Sequence, residues 1–585
     1  MSESTTTTAA STLTAPDIEK ASQVRLLFEQ ARSHKKNRYE IWNRSYRMLH
    51  NRGWSNLRQQ WMPSPLASEI YPIVASMVGW MTDQRPGLSV VPAVDPHSKL
   101  GRYHSELASD LEKVLRSTWI AHDTTAEVEK VLWDAAIYGT GFFKTVWDES
   151  LEGGQGQSVI KRTDPWVMFI DPAATSLDDA NYIIEARNTS LQEIDRRFPG
   201  ASKRLMDSPV FDDLERREDL FRSEGGSDVP KANPAGINGV APRFGRPGGG
   251  KRERASTILD GQVTLIEAWI RRHEQWTDDE GVAHIEDGWH VVVMAGNEIL
   301  MDEPAKDLWT HGRHPYTRYT FGDLGDLWGV SLVEHLTPLQ TAINRLLAAL
   351  QANAELVGNP VFLEDTRAGI ARTKITNKPG TRLVKNQGSE AGWLTPPEMP
   401  SSVSELVRFY IGEMERISGL SAIVRGATPT GRNAQGVLDS VQEAAFVRVR
   451  LALRNLERSL RDAGELQASL IVENYSAPRY MAVLGPEGGQ KVSMSLRGRH
   501  FYVPNKEGTG PMKFSLIIEA GSSMPISRQA RAQEADVLFG MGALDTLAVL
   551  EAHDWPNRNE IYERITKAQA MGAFEPPGKR KATRS

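Results

Sequence analysis

Apolar positions recur at helical spacing from about residue 17. Val24, Leu27, Phe28 and Ala31 are followed by Tyr39, Trp42 and Tyr46 at i, i+3, i+7, which predicts a helix to Arg52. Residues 69–85, 103–121 and 126 onward continue the helical pattern, the last stopping at Gly139-Thr140-Gly141. Apolar runs and alternation then predict strands at 142–147, 158–163, 166–170, 181–187, 262–271 and 289–294, so the first half mixes helix and sheet. The second half changes period. Thr337-Pro338-Leu339-Gln340 has the form of a capping box with proline at the first helical position, and Leu339, Ile343, Leu346, Leu347 and Leu350 follow on one face. Ser331-x-x-Glu334 offers an earlier start, with Pro338 then inside one longer helix; either version stops at Gly358-Asn359-Pro360. Residues 358–400 are turn-rich with short strand-like pieces. A second helix opens at Ser402-x-x-Glu405, aligns Val403, Leu406, Val407, Tyr410, Met414 and Ile417, and ends at Gly419. After a loop over 421–432, a helix of about 43 residues is expected from Asn433 to Tyr475, too long to lie within one compact domain. Strands at 500–503 and 513–519 and helical patterns over 526–570 complete an α+β reading.

Two segments stand apart in composition. Residues 1–16 read as a flexible Thr/Ser/Ala tail without the apolar core of a signal peptide. Residues 223–250 hold 8 Gly and 4 Pro in 28 positions, the composition of a mobile surface insertion. No apolar run is long enough for a membrane span; the best candidate, Leu332 to Val357, is broken by Glu334, Gln340, Asn344, Arg345, Gln351 and Asn353.

With 585 residues, the chain carries 69 basic and 74 acidic side chains, a formal charge of −5. A protein that grips nucleic acid by wrapping its phosphates is usually basic overall, so any such grip must be local. Cysteine is absent, which removes disulfides, thiolate metal sites and cysteine nucleophiles from consideration.

The remaining chemistry is thin. Gly426-Ala-Thr-Pro-Thr-Gly431-Arg432-Asn433 has the outline of a phosphate-binding loop, but Arg and Asn replace the Lys and hydroxyl that the chemistry needs, and Pro429 removes an amide donor. Asp164-Pro165 and Asp171-Pro172 bracket a strand and, seven residues apart, would point to opposite faces; turn formation suits them better than acid–base work. His311 and His314 lack an evident third metal ligand. The basic and aromatic residues of 24–52 could form a stacking platform for single strands, although aromatics on one stripe favour a packing face. Arg450, Arg454, Arg458 and Arg461 form a stripe that would suit either DNA phosphates or salt bridges, and the Glu443, Glu457, Asp462 and Glu465 beside it favour the latter. No motif recommends an enzyme, and none calls for a cofactor or metal.

Four weak motifs occur in a telling order: Tyr39-Glu40-x-Trp42; Tyr138-Gly139-Thr140-Gly141-Phe142; Asp164-Pro165-x-x-x-Phe169-Ile170-Asp171-Pro172-Ala173; and Trp328-Gly329-x-Ser331-x-x-Glu334-x-x-x-Pro338-Leu339-Gln340 leading into a helix with Asn344. With these the chain resembles the portal proteins, or head-to-tail connectors, of tailed bacteriophages, in particular the larger type of short-tailed phages, over about residues 20–570. The resemblance implies a non-enzymatic virion protein made in the host cytoplasm, assembled as a ring, usually a dodecamer, at one capsid vertex. Double-stranded DNA would pass through it without sequence readout, with terminase, capsid and scaffolding proteins and neck or tail adaptors as partners and no membrane. It also implies a division of the chain. Residues 17–330 would form the first part of an α/β wing, and 331–356 and 401–420 the two stem helices, marked by Leu339, Ile343, Leu346, Leu350, Leu406, Tyr410 and Met414. Residues 357–400 would form a small α/β clip, and 421–432 the tunnel loop. Residues 433–525 would be the long wing helix and second part of the wing, and 526–585 a helical crown and basic tail. Arg425, Thr428, Thr430 and Arg432 become the candidate DNA contacts. A head–tail adaptor or internal scaffold is the alternative, and a nucleotide-driven translocase is disfavoured by the defective phosphate loop.

Overall fold

The structure is a computed structural model of the whole chain. It describes residues 15–50, 67–82, 87–93, 99–207, 262–277, 283–358, 361–365, 386–394 apart from 389, 400–420, 434–484 apart from 477, 491–505 apart from 498, 508–518, 535–553, 555 and 561–567 apart from 563. The 223–250 insertion, the 421–432 loop with Arg425, Thr428, Thr430 and Arg432, and the basic tail lie outside the described residues.

In chain order the elements are α1 (Ala15–Leu49), α2 (Ile70–Thr82), β1 (Leu88–Pro92), α3 (Lys99–Ala121), α4 (Thr124–Tyr138), β2 (Thr140–Asp148), β3 (Gln157–Thr163), β4 (Met168–Ile170), β5 (Tyr182–Ser190), α5 (Leu191–Arg197), α6 (Ala201–Asp207), β6 (Gln262–Thr277), β7 (Ala283–Ala295), β8 (Glu298–Pro304) and β9 (Tyr316–Thr320). Then come α7 (Leu332–Gly358), β10 (Val361–Glu364), β11 (Ala391–Leu394), α8 (Ser402–Ser418), α9 (Ala434–Asn474), β12 (Arg479–Leu484), β13 (Lys491–Leu496), β14 (Tyr502–Asn505), β15 (Gly508–Pro511), β16 (Phe514–Ile518) and α10 (Thr546–Ala552). This is an α+β fold.

Two antiparallel sheets make the mixed body: β4-β5-β6-β7-β8 and β3-β2-β9. Strand alternation divides the larger sheet. Ile184, Ala186, Ile266, Ala268, Val292 and Met294 meet Ala21, Val24, Phe28 and Ala31 of α1 on one face. Ile183, Leu265, Trp269, Val291 and Val293 on the other face join the main core. α9 closes the open edge of the smaller sheet. Asn455 and Ser459 donate to the carbonyls of Thr320 and Arg318 on edge strand β9, at 3.4 and 2.7 Å, satisfying groups that would otherwise invite another strand. A long-range strand pair ties the ends of this body together, β1 running antiparallel to β16.

Several expectations need correction. α7 starts at Leu332, because the Ser331 hydroxyl accepts from the Glu334 amide at 2.8 Å, and Pro338 lies inside the helix. The Thr337 box does not form; the Thr337 hydroxyl bonds back to Val333 O. The Ser402 box is absent too: Ser401 precedes the first turn without a side-chain cap, although Gly419 ends α8 at φ 76° as its position suggested. α9, 41 residues, is as long as expected but does not simply radiate outward. From Val449 onward its Ala452, Leu453, Leu456, Leu460, Ala463 and Ile471 are buried in the core, because this part of the helix packs across β3-β2-β9 and against β16. The sequence reading lacks strands β1, β8, β9, β12, β13 and β15.

Candidate functional site

The four motifs meet in one place. Gly139 has φ 88°, a backbone that only glycine adopts freely, and a Cβ there would lie 2.6 Å from Trp328 O and 2.9 Å from Gly329 O. Gly329 reciprocates: its φ is 57° and its Cβ would sit 2.8 Å from Gly139 O. A Cβ on Gly141 would meet Val131 O at 2.5 Å, so α4 and β2 approach too closely for any side chain. Around this back-to-back glycine contact the rings of Trp42 stack edge-on or tilted against Tyr138, Trp166 and Trp328 at 5.3–5.4 Å, and Tyr39 stacks on Trp166 at 5.2 Å. Trp42 is fully buried, so the aromatic stripe of α1 is a packing face and offers no platform for bases.

Lys35 is the surprise of this knot. It is 1% exposed and donates to three carbonyls, Pro165 O and Trp166 O at 2.8 Å and Met168 O at 2.7 Å. The rings of Phe169, Trp328, Trp42 and Tyr39 surround its ammonium at 4.3–5.6 Å. Burial pushes the ammonium well below the ordinary lysine value, partly offset by nearby Asp164. With all three N–H groups aimed at carbonyls and no path to solvent, it fastens α1 to the β3–β4 connection.

The Asp-Pro pairs act as turns. Asp164 accepts from Trp166 N at 3.1 Å, and Asp171 accepts from Ala173 N and from the Asn181 side chain at 3.0 and 2.7 Å. His314 is buried between Trp289 and Tyr316, and burial and Arg313 push it down to about 3. His311, pushed down to about 4 by the same causes, accepts from Arg313 N. Among the described residues no group of three or more His, Asp or Glu is placed to hold a metal ion.

A second polar node was not legible in the sequence. Glu185 and Glu267 stand directly opposite each other on β5 and β6, and Lys144 stands opposite Tyr316 on β2 and β9. The two sheets bring these pairs face to face. Lys144 Nζ reaches Glu185 and Glu267 at 2.5 and 2.8 Å, and the Tyr316 hydroxyl lies 2.8 and 3.1 Å from the same carboxylates. Burial favours a neutral Glu267, but Lys144 overcomes it and holds the carboxyl down at about 2. Burial likewise opposes the Lys144 charge, and the carboxylates of Glu267 and Glu185 hold it above the ordinary value. The node lines a cavity of about 1060 Å³ with Trp269 and Trp309 on its wall. Lys144 and Glu267, held firmly charged at neutral pH, are poor proton donors and acceptors. The node joins two sheets.

The expected stem residues fall on a helical hairpin, α7 against α8, joined through the β10–β11 pair. Ile343 and Met414 are buried, and Leu339, Leu346, Leu350 and Tyr410 half-buried. Leu406 is 39% exposed and its neighbour Phe409 58%, so α8 carries more apolar surface than α7 covers.

A family model described as phage P22-like portal protein matches residues 25–583. The chain belongs to that family. No curated protein matches it. The match takes in the glycine and aromatic knot, the hairpin and the long helix alike, which explains why the order of the motifs carried the signal: they are one packing unit, separated along the chain by almost 300 residues. Portal proteins are structural rather than enzymatic components of the virion; they form an oligomeric ring at a capsid vertex, with capsid and terminase as partners. No helix among the described residues of this portal protein is long and apolar enough to cross a membrane.

Proposed function

We propose that the chain is one subunit of a ring, of twelve copies, through which double-stranded DNA enters the capsid during packaging and leaves it during ejection. In this reading α7 and α8 are the stem and the β10–β11 pair belongs to a clip that meets terminase and, later, neck and tail adaptors. Residues 421–432 form the tunnel loop. The mixed body is the wing, and the segment from 526 the crown.

The observation that carries it is the element order in a chain of this family: two helices of 27 and 17 residues framing a small strand pair, followed by one of 41. Exposed Leu406 and Phe409 on α8 supply apolar surface for a neighbouring hairpin. Charge agrees with passage. A channel that neutralised many phosphates would hold DNA tightly and release it slowly; a chain with a net charge of −5 has only local positive positions for transient contact. Arg425 and Arg432, with Thr428 and Thr430, are the backbone contacts in this proposal. Electron micrographs of the purified protein viewed down its axis should show a twelve-fold ring with a central hole. A monomer without a hole, under conditions where rings persist, overturns the reading.

A further inference from the structure

The basic stripe of α9 acquires a specific meaning in the fold. Helical periodicity sets Arg450, Leu451, Arg454, Arg458 and Arg461 on the side of α9 opposite the buried Ala452, Leu456 and Ala463. Arg454, Arg458 and Arg461 are exposed and Arg450 half-buried. Arg461 pairs with its neighbour Asp462 at 3.0 Å. Arg450, Arg454 and Arg458 have no hydrogen-bond or ion-pair partner among the described residues. Leu451, 62% exposed, lies beside them. The face is therefore cationic with an apolar spot.

A surface of opposite character lies on the other flank of the same sheet. Asp178, Asp179, Asp323 and Asp326 gather around the Arg318 guanidinium. Arg38, Arg313 and Arg318 reach their carboxylates and Arg271 the Asp178 carbonyl. Arg38, Arg271 and Arg318 are half-buried while Asp178, Asp179 and Asp323 are exposed, so the surface presented to solvent is acidic. Between Asp323 and Asp326 the loop lifts Leu324 into solvent, 77% exposed. Arg318 is the cross-strand partner of Phe142, so both side chains point to one face of β3-β2-β9. Thr145, of opposite parity on β2, points to the other face, where its hydroxyl lies 3.5 Å from Ala463 O of α9. Phe142 packs on Trp328, at the end of the acidic loop. The cationic face and the acidic loop thus lie on opposite sides of one sheet.

We infer that the Arg450–Leu451–Arg454–Arg458 face of α9 in one copy seats the acidic loop around Asp323–Leu324 of the next copy. This rests on the ring reading above. A closed ring uses a heterologous contact, in which each subunit offers two different patches on opposite flanks. Here the patches carry opposite charge, and each exposes a leucine beside its charges. Opposite charge sets register and partner choice, and desolvated leucine contact adds affinity. DNA fits the basic face less well: phosphates have no use for Leu451, and Glu457 and Asp462 interrupt the row.

Charge reversal in two separate variants tests the contact. Arg454→Glu/Arg458→Glu and Asp178→Lys/Asp323→Lys should each lose the ring on size-exclusion chromatography and in micrographs while keeping the wild-type far-ultraviolet circular dichroism. Mixing the two in equal amounts should restore rings, since alternating subunits recreate opposite charge at every contact. Leu324→Ser removes only exposed surface and keeps the test open should Asp323→Lys disturb Arg318; it should raise the protein concentration at which rings form. Wild-type rings that survive both reversals and Leu324→Ser overturn this inference alone. So do rings that survive the Arg454→Glu/Arg458→Glu change but lose packaged DNA, which would make the face a DNA surface. Wild-type protein that never forms a ring overturns the portal-ring reading and this inference with it.

Discussion

Gly139 shows how much of this protein rests on backbone approach rather than side-chain chemistry. Its φ of 88° and the carbonyls of Trp328 and Gly329 leave no room for a methyl group. Gly139→Ala must take a left-handed backbone and displace another segment's backbone, which should cost about 3 kcal/mol or more and lower the midpoint of denaturant unfolding. An alanine variant as stable as wild type would remove the knot from the account of the fold. The glycines were visible in the sequence as a turn signal; their contact with a second glycine 190 positions away was not, because nothing local in the chain encodes it.

Between elements, the Lys144 node makes the joint of two sheets depend on charge. Removing Lys144 leaves two opposed buried carboxylates, and Lys144→Met should destabilise the protein by about 3–5 kcal/mol at neutral pH. The pH dependence follows from the directions of shift. Glu267 is held at about 2 against an ordinary 4.5, so its contribution is complete above 4.5 and is lost as pH falls from there towards 2. Lys144 is held above its ordinary 10.5, so its share persists below that value and is lost only at higher pH. Wild-type stability should therefore fall between pH 4.5 and 2. In Lys144→Met the slope should reverse, because the abandoned carboxylates gain by protonation. Urea melts at several pH values measure both slopes; parallel slopes would show that Lys144 does not hold Glu267. Periodicity placed β2 and β5 correctly but could not place this node, since register and the facing of sheets decide which side chains oppose each other.

At the scale of the whole molecule, the net charge and the loop between hairpin and long helix bear on DNA. If Arg425 and Arg432 meet its backbone during transit, Arg425→Ala/Arg432→Ala should leave rings intact and alter the rate of packaging or the retention of packaged DNA. Normal packaging and retention would reject that role. The variant separates passage from assembly, since the contacts proposed for assembly lie on α8, α9 and the 322–327 loop.

Locally repeating features are legible in the chain itself: the helical stripes of α1, α7, α8 and α9, the strands β2, β3 and β6, and the stop at Gly419. Apolar spacing writes these directly into neighbouring residues, and the ordered motifs were enough for the family. Packing decided that Ser331 rather than Thr337 caps α7, that one face of α9 from Val449 onward is buried in the core, and that Lys35 belongs to the core rather than to a solvated face. In each case the deciding partner comes from packing: the segments that bury α7 and α9, or the three carbonyls of 165–168 that receive the Lys35 ammonium. A buried cation is stable only where distant segments deliver its acceptors, and no periodicity in one segment announces them.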